Sequence, residues 1–411
     1  MPAPVVFLKT GHFPLAYGIL GGIRSASRLG CDTYAYCDSP RVPYALSRSL
    51  TAPVLAVPSL EQLLELGRRI GPAVLIAVSD GAAVMVDDQR NELSAVFFSP
   101  EVPTGLPRMV ANKALLGQVA ADAGIPAPRT ALLGTWDRGS DAFAFPVVVK
   151  TSEQWRDVDA RHVLPTRIIR NRHEMEMILA QCTENEVVVQ DYLPPDGAED
   201  WIVNAYVDGG GSVLYCGTAR KYRSWLPGTG VACMARAEPN AVVKRQALQL
   251  IEALEYRGLV DMDFRLDPRD RHYKLLDFNP RLGAAAAMFH SVNGLDLVQI
   301  AVLDLLGATP GWQEQRFGVR LVVENMDAPA RVLTRTRVGR RPGERIVHGW
   351  WDSKDPLPFA GMVPWQIRQW ADQVRWRVSR RAKLLQLSPV AEDIPLGASF
   401  RAPHQAEDLR A

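Results

Sequence analysis

The residues best suited to chemistry lie between Val260 and Gly283, where two apolar-alternating runs flank a turn at Pro268, Arg269 and Asp270. Side chains alternate along a strand, so Asp261, Asp263 and Arg265 share one face of the first run while Met262, Phe264 and Leu266 share the other. In the second run Asp277 and Asn279 share a face, with Arg281 just beyond. Antiparallel pairing of Val260–Asp267 with His272–Asn279 would bring Asp263 near Asp277 and Asn279. Two carboxylates and an amide oxygen are hard ligands suited to Mg2+, or to Mn2+, which takes its remaining ligands from water and phosphate. Either Asp261 or Asp263 can be the first ligand on this reading. Arg281 would offer a fixed cationic fork to a phosphoryl or carboxylate group.

The elements that must position these residues follow from hydrophobic periodicity. Val5–Leu8, Cys31–Cys37 and Val74–Val78 read as strands. They alternate with helical stretches at Ser25–Leu29, after a turn containing Gly11, Gly18, Gly21 and Gly22, and at Ser59–Ile70. Strands alternating with helices imply a parallel sheet. The glycines do not match a GxGxxG fingerprint. Pro100–Pro107 punctuates the chain, and Asn112–Ala123 predicts a helix stopped by Gly124, Pro126 and Pro128. Phe145–Lys150 and Val187–Leu193 predict strands. The former ends in Lys150, whose charge must meet a partner if so apolar a strand is buried. Trp201–Val207 and Val213–Ala219 flank Asp208-Gly209-Gly210-Gly211 as a hairpin. Val243–Tyr256 is an amphipathic helix by its spacing.

In this order the motifs resemble the ATP-grasp superfamily over roughly residues 5–310. Asp277-Phe278-Asn279-Pro280-Arg281 is similar to its metal-binding strand, with Asp where Glu is commoner. The resemblance implies that Lys113 and Lys150 hold nucleotide phosphates. It implies that Gln190, Asp191, Tyr192 and Leu193 read adenine, and that Glu199 or Asp200 binds the ribose. It also implies a site for ATP with Mg2+ on Asp263, Asp277 and Asn279. Lys221 and Arg223, followed by Pro227–Gly230 as a segment able to close over the site, resemble the D-aspartate ligase-like group of carboxylate–amine ligases. So does the opening region with Arg41, Ser47, Arg48 and Ser49. On that resemblance Arg281, Lys221 and Arg223 steady the transferred phosphoryl group or the substrate carboxylate. The implied reaction joins a small-molecule acid to an amine through an acyl phosphate. A bicarbonate-activating enzyme and a non-catalytic nucleotide-binding scaffold are the alternatives.

The expected fold is α/β, with an N-terminal parallel-sheet domain over 1–107, a small lobe with linker helix over 108–200, a large lobe with the metal site over 201–310, and a helical extension over 311–411. In that extension Ile367, Trp370, Val374 and Val378 recur at helical spacing among several arginines, which predicts a stripe docked on the main body. A basic helix that grips a membrane or an anionic partner is the competing reading. Composition is ordinary for a globular protein, with 47% hydrophobic and 22% charged residues, and the net charge of +2 argues against nucleic acid as a partner of the whole chain. The scattered Cys31, Cys37, Cys182, Cys216 and Cys233 form no metal-type pairs. With no signal-like start and no membrane-length apolar run, a cytoplasmic protein is expected, with a homodimer as one assembly.

Overall fold

The computed structural model describes residues 3–386 apart from 12, 14, 38, 57–58, 136–142, 154–165, 180–186 and 226–229; of residue 135 and of those from 372 onward only the backbone is described. Two units are present, residues 1–363 and residues 364–411.

In the first unit, β1 (Val5–Leu8), β2 (Thr33–Cys37), β3 (Leu55–Ala56), β4 (Ala73–Ala77) and β5 (Phe97–Phe98) form a parallel sheet in the order β3-β2-β1-β4-β5. The central strands are apolar on both faces because helices cover both, among them α1 (Tyr17–Arg28), α2 (Leu60–Ile70) and α3 (Asp80–Asp88). The strand order reverses between β1 and β4. In open α/β sheets the crevice beyond the carboxyl ends of the strands at such a switch point is where ligands bind. The residues opening α1 and α3, Tyr17 and Asp80, therefore face the same place.

The glycines Gly18, Gly21 and Gly22 lie inside α1 rather than in the expected turn. Close packing explains them: a Cβ on Gly18 would stand 2.7 Å from the Ala284 Cα atom, so only glycine lets the helix approach that segment.

The second sheet is antiparallel and contains β6 (Thr130–Leu132), β7 (Val147–Thr151), β8 (Arg167–Ile169) and β9 (Val187–Asp191) in the order β6-β9-β7-β8. Val147, Val149, Val187 and Val189 pack with Met175 and Ile178 of the helix Arg172–Leu179. Alternation then turns Lys150 and Gln190 to the opposite face.

The third sheet holds β10 (Glu199–Val207), β11 (Val213–Trp225), β12 (Val231–Ala237), β13 (Gly258–Leu266), β14 (Tyr273–Asn279), β15 (Val319–Val322) and β16 (Arg345–His348), in the order β14-β13-β10-β11-β12-β15-β16. Its inner face, including Val203, Ala205, Val260, Met262 and Phe264, buries against the helix Ala241–Ala253.

Strands β15 and β16 lie beyond residue 310, so the sheet runs on into the stretch expected to be a separate extension. Trp350 is fully buried. Asp355 forms a buried ion pair with Arg24 at 2.9 Å, and accepts hydrogen bonds from the Ser47 hydroxyl at 2.7 Å and the Arg48 amide at 2.9 Å. The Arg24 guanidinium also donates to the Trp350 and Asp355 carbonyls. The Ser47-Arg48 signal near the start of the chain thus has a structural use: it ties residues 350–355 to the first sheet.

The helix Leu357–Gln386 spans the boundary between the two units at residue 363. Ile367 and Trp370 are exposed, where the sequence pattern predicted a packed stripe. The buried apolar groups of this region, Trp350 and Met362, come earlier in the chain. Among the described residues no helix is long and apolar enough to cross a membrane. Cys31, Cys37, Cys216 and Cys233 are buried free thiols, and Cys182 lies outside the described residues.

Candidate active site

A cleft of about 370 Å³ lies between β7 and β9 on one side and β10, β11, β13 and β14 on the other. Tyr17 and Asp80 line it from the parallel-sheet domain. The hairpin pairs Asp261 with Asn279 and Asp263 with Asp277. Met262 and Phe264 are buried in the core on the far face, which anchors the acidic face toward the cleft.

Cations oppose these acids. Lys113, at the start of the helix Lys113–Asp122, is buried and hydrogen-bonds Asp277. The Asn112 side chain caps that helix by accepting from the Ala114 amide at 2.9 Å, which sets where Lys113 emerges. Lys150 donates to the Gln190 side-chain oxygen at 3.2 Å, and Lys221 pairs with Asp263 at 2.6 Å. Burial, with Lys113 nearby, lowers the Lys150 pKa to about 8. Burial would raise Asp277, but Lys113 and Lys150 outweigh it and hold its carboxyl below the usual range. Burial would likewise lower Lys221, and the carboxylates of Asp263 and Asp200 reverse the sign.

Asp261 is placed differently from Asp263. Asn204 donates to one of its oxygens at 2.8 Å, while Asn279 and Arg281 approach the other at 3.3 and 3.2 Å. Burial raises its pKa to about 6 against the pull of Arg281. Arg281 is shared with Asp80, whose Oδ1 lies 3.1 Å from its Nε. Gly283 is required by this packing, since a Cβ there would lie 2.5 Å from the Asn204 amide oxygen and 2.8 Å from the Asp261 carboxylate.

Gln190, Asp191, Tyr192 and Leu193 all line the cleft, as does Asp200, which binds Arg265 through both oxygens at 2.5 and 2.8 Å. Two expectations need correction. Glu199 faces away from the cleft, toward Arg220 at 3.2 Å and the Trp201 indole, because neighbours along β10 point to opposite faces. Arg223 also leaves the cleft and forms a two-pronged pair with Asp327 at 2.6 and 2.9 Å. Lys221 and Arg223 would share a face in a regular strand. The pairing of β11 with β12 shifts register on both sides of Arg223, and a bulge of this kind breaks the alternation. Of the expected closing segment Pro227–Gly230, residues 227–229 lie outside the described residues. Tyr17 and Asp80 were not anticipated; the Ser79-Asp80-Gly81 run at the end of a strand was the available signal.

The donors are suited to a hard cation. Among the described residues no three carboxylate, imidazole or thiolate side chains gather into a closed metal cage. Asp263, Asp277 and Asn279 instead make an open, oxygen-rich edge, which fits an ion that keeps waters and shares phosphate oxygens.

Solved structures share this architecture. The N5-carboxyaminoimidazole ribonucleotide synthetase bound to ADP superposes with a TM-score of 0.59 at 11% identity, over 77% of this chain and 80% of that one. The biotin carboxylase domain of the Hydrogenobacter thermophilus 2-oxoglutarate carboxylase, solved with MgADP and bicarbonate, gives a TM-score of 0.56 at 14% identity, over 78% of this chain and 74% of that one. This is an ATP-grasp fold.

Residues 232–307 match the family model described as the carbamoyl-phosphate synthase L chain, ATP binding domain. The D-aspartate ligase of Enterococcus faecium (strain Aus0004) is 28% identical over 246 residues, or 56% of this chain. The match spans 58% of that ligase's length. All three sheets lie within residues 1–363.

Proposed function

We propose that this chain is an ATP-dependent carboxylate–amine ligase that activates a small-molecule acid as an acyl phosphate and releases ADP. The observation supporting it most is the opposition, across one cleft, of Lys113 and Lys150 to Asp263, Asp277 and Asn279, with Arg281 at the edge. Lysines are point-charge partners for phosphates, and both emerge from rigid elements. Gln190 to Leu193 form the wall against which adenine would lie, and Asp200 replaces Glu199 as the ribose ligand. Asp263, Asp277 and Asn279 would hold Mg2+ or Mn2+, which neutralises phosphate charge when bound.

The chain's own residues then have defined tasks. Lys113 and Lys150 orient the phosphates, and Arg281, fixed between Asp80 and Asp261, presents its fork to the acid. A carboxylate oxygen attacks the γ-phosphorus as the bond to ADP breaks. The amine nitrogen then attacks the acyl carbon and phosphate leaves. Positioning and charge stabilisation supply such catalysis, so no covalent enzyme intermediate is required. Lys221 lies beside Asp263 and would be free to meet the substrate carboxylate if Asp263 held a cation instead.

The test is ADP release with pools of amino acids and other carboxylic acids, each with and without amines. The D-aspartate ligase similarity makes D-aspartate the first acid to try. Release that depends on both an acid and an amine supports the ligase reading. Release with bicarbonate alone would favour the carboxylase reading suggested by the biotin carboxylase likeness. No release with any acid would reject both.

Lys150 gives a sharper test of the nucleotide site. Lys150→Ala should weaken ATP binding about ten- to a hundredfold, the worth of one charge-assisted contact of roughly 1.5–3 kcal/mol. Because its pKa is lowered to about 8, Lys150 is cationic below that pH and neutral above it. ATP affinity should therefore fall as pH rises from 7 to about 9 in the parent protein, and stay flat there in the variant. Calorimetry showing parallel pH profiles would remove Lys150 from the phosphate site.

A further inference from the structure

The helix Leu357–Gln386 combines two features that the cleft does not use. Ile367 is 58% exposed and Trp370 is 41% exposed. They stand three residues apart, so they share one face of the helix. Scattered exposed apolar residues are ordinary, but here the sequence continues at helical spacing, in steps of four, to Val374 and Val378.

The second feature is charge. Residues 364–386 contain six Lys and Arg residues, from Arg368 to Lys383, against one acid, Asp372. The whole chain has a net charge of only +2, so outside this helix it is net negative. Positive charge is thus concentrated along one helix that also presents a tryptophan and an isoleucine to solvent.

We propose that this helix is a docking element that lays the chain on an anionic lipid surface. An apolar stripe with tryptophan beside basic residues matches the interface of headgroup and acyl chain, where aliphatic and indole groups enter and arginines meet lipid phosphates. The helix lies on the surface and does not cross it, since no described helix is apolar enough to span. A second copy of this helix is the poorer occupant, because pairing would set the two basic runs against each other. A nucleic acid would answer the charge but give Ile367 no partner. The proposal is independent of the ligase reading and stands or falls without it.

The experiment is co-sedimentation of the full chain with vesicles of phosphatidylcholine alone or mixed with phosphatidylglycerol. Binding is expected with the anionic vesicles and not with the neutral ones, and should fall several-fold when NaCl is raised to about 0.5 M. The double variant Ile367→Ser, Trp370→Ser should bind about tenfold more weakly, since apolar insertion is lost while charge remains. Both residues are exposed, so its melting temperature should match the parent's and exclude misfolding. Failure to sediment with anionic vesicles, or equal sedimentation of the double variant, overturns the proposal. So does light scattering that shows a dimer lost in the variant with no vesicle binding by the parent.

Discussion

Replacing Asp277 by asparagine is expected to lower ADP release by more than about a hundredfold, because even groups one shell out from a metal typically cost 10–100-fold. Asp277 sits where three demands meet: it pairs across the hairpin with Asp263, it holds Lys113, and its charge offsets Lys150. Asparagine keeps the shape and an oxygen but removes the charge. Two buried lysines would then face each other without their shared counter-ion, so the nucleotide-free variant should also melt lower. Both readouts are needed. A stable variant with near-normal ADP release would show that the metal edge has been drawn in the wrong place. A variant that melts lower and is inactive, yet regains its melting temperature with ATP, would fit phosphates taking over the role of the carboxylate.

A chain ended after Thr334 should be recovered largely insoluble, whereas one ended after Val363 should melt within about 4 °C of the full chain. The first cut removes β16, the buried Trp350 and Asp355. Losing a core tryptophan costs about 3–5 kcal/mol. Leaving Arg24 buried without its carboxylate costs about 3–5 kcal/mol more. Together these are comparable with the whole stability of a typical domain, roughly 5–15 kcal/mol. The second cut falls at the boundary between the two units and leaves every one of these contacts in place. Equal solubility and melting of both shortened chains would show that residues 335–363 do not hold the body together.

The acidic hairpin is legible in the sequence because strict alternation dictates its geometry: once Met262 and Phe264 must be buried, Asp261 and Asp263 have one place to go. The parallel sheet is legible for a similar reason, since its apolar runs are separated by helical periodicity. What escapes such reading depends on local departures or on distant chain. The bulge beside Arg223 has no marker in the sequence, and an arginine expected in the cleft turns out to bind Asp327. Asp80 looks like an ordinary helix-starting acid until the fold sets it against Arg281, 201 residues later. Asp261 could be placed on the correct face, but only its partners Asn204, Asn279 and Arg281 distinguish it from Asp263. The glycines of α1 were misread as a turn because the segment they pack against, around Ala284, is remote.

The link between Arg24 and Asp355 has a consequence for how the chain is made. The two residues are 331 positions apart, so the first sheet emerges from the ribosome long before the carboxylate that completes it. At about 5–20 residues per second, Arg24 waits roughly 20–70 s for its partner. During that interval the nascent protein holds an unmatched guanidinium against a half-built interface, and its third sheet is completed only when β15 and β16 appear. Such a chain should depend on chaperones until its last strands appear, and its yield should respond to translation speed anywhere between residues 24 and 355.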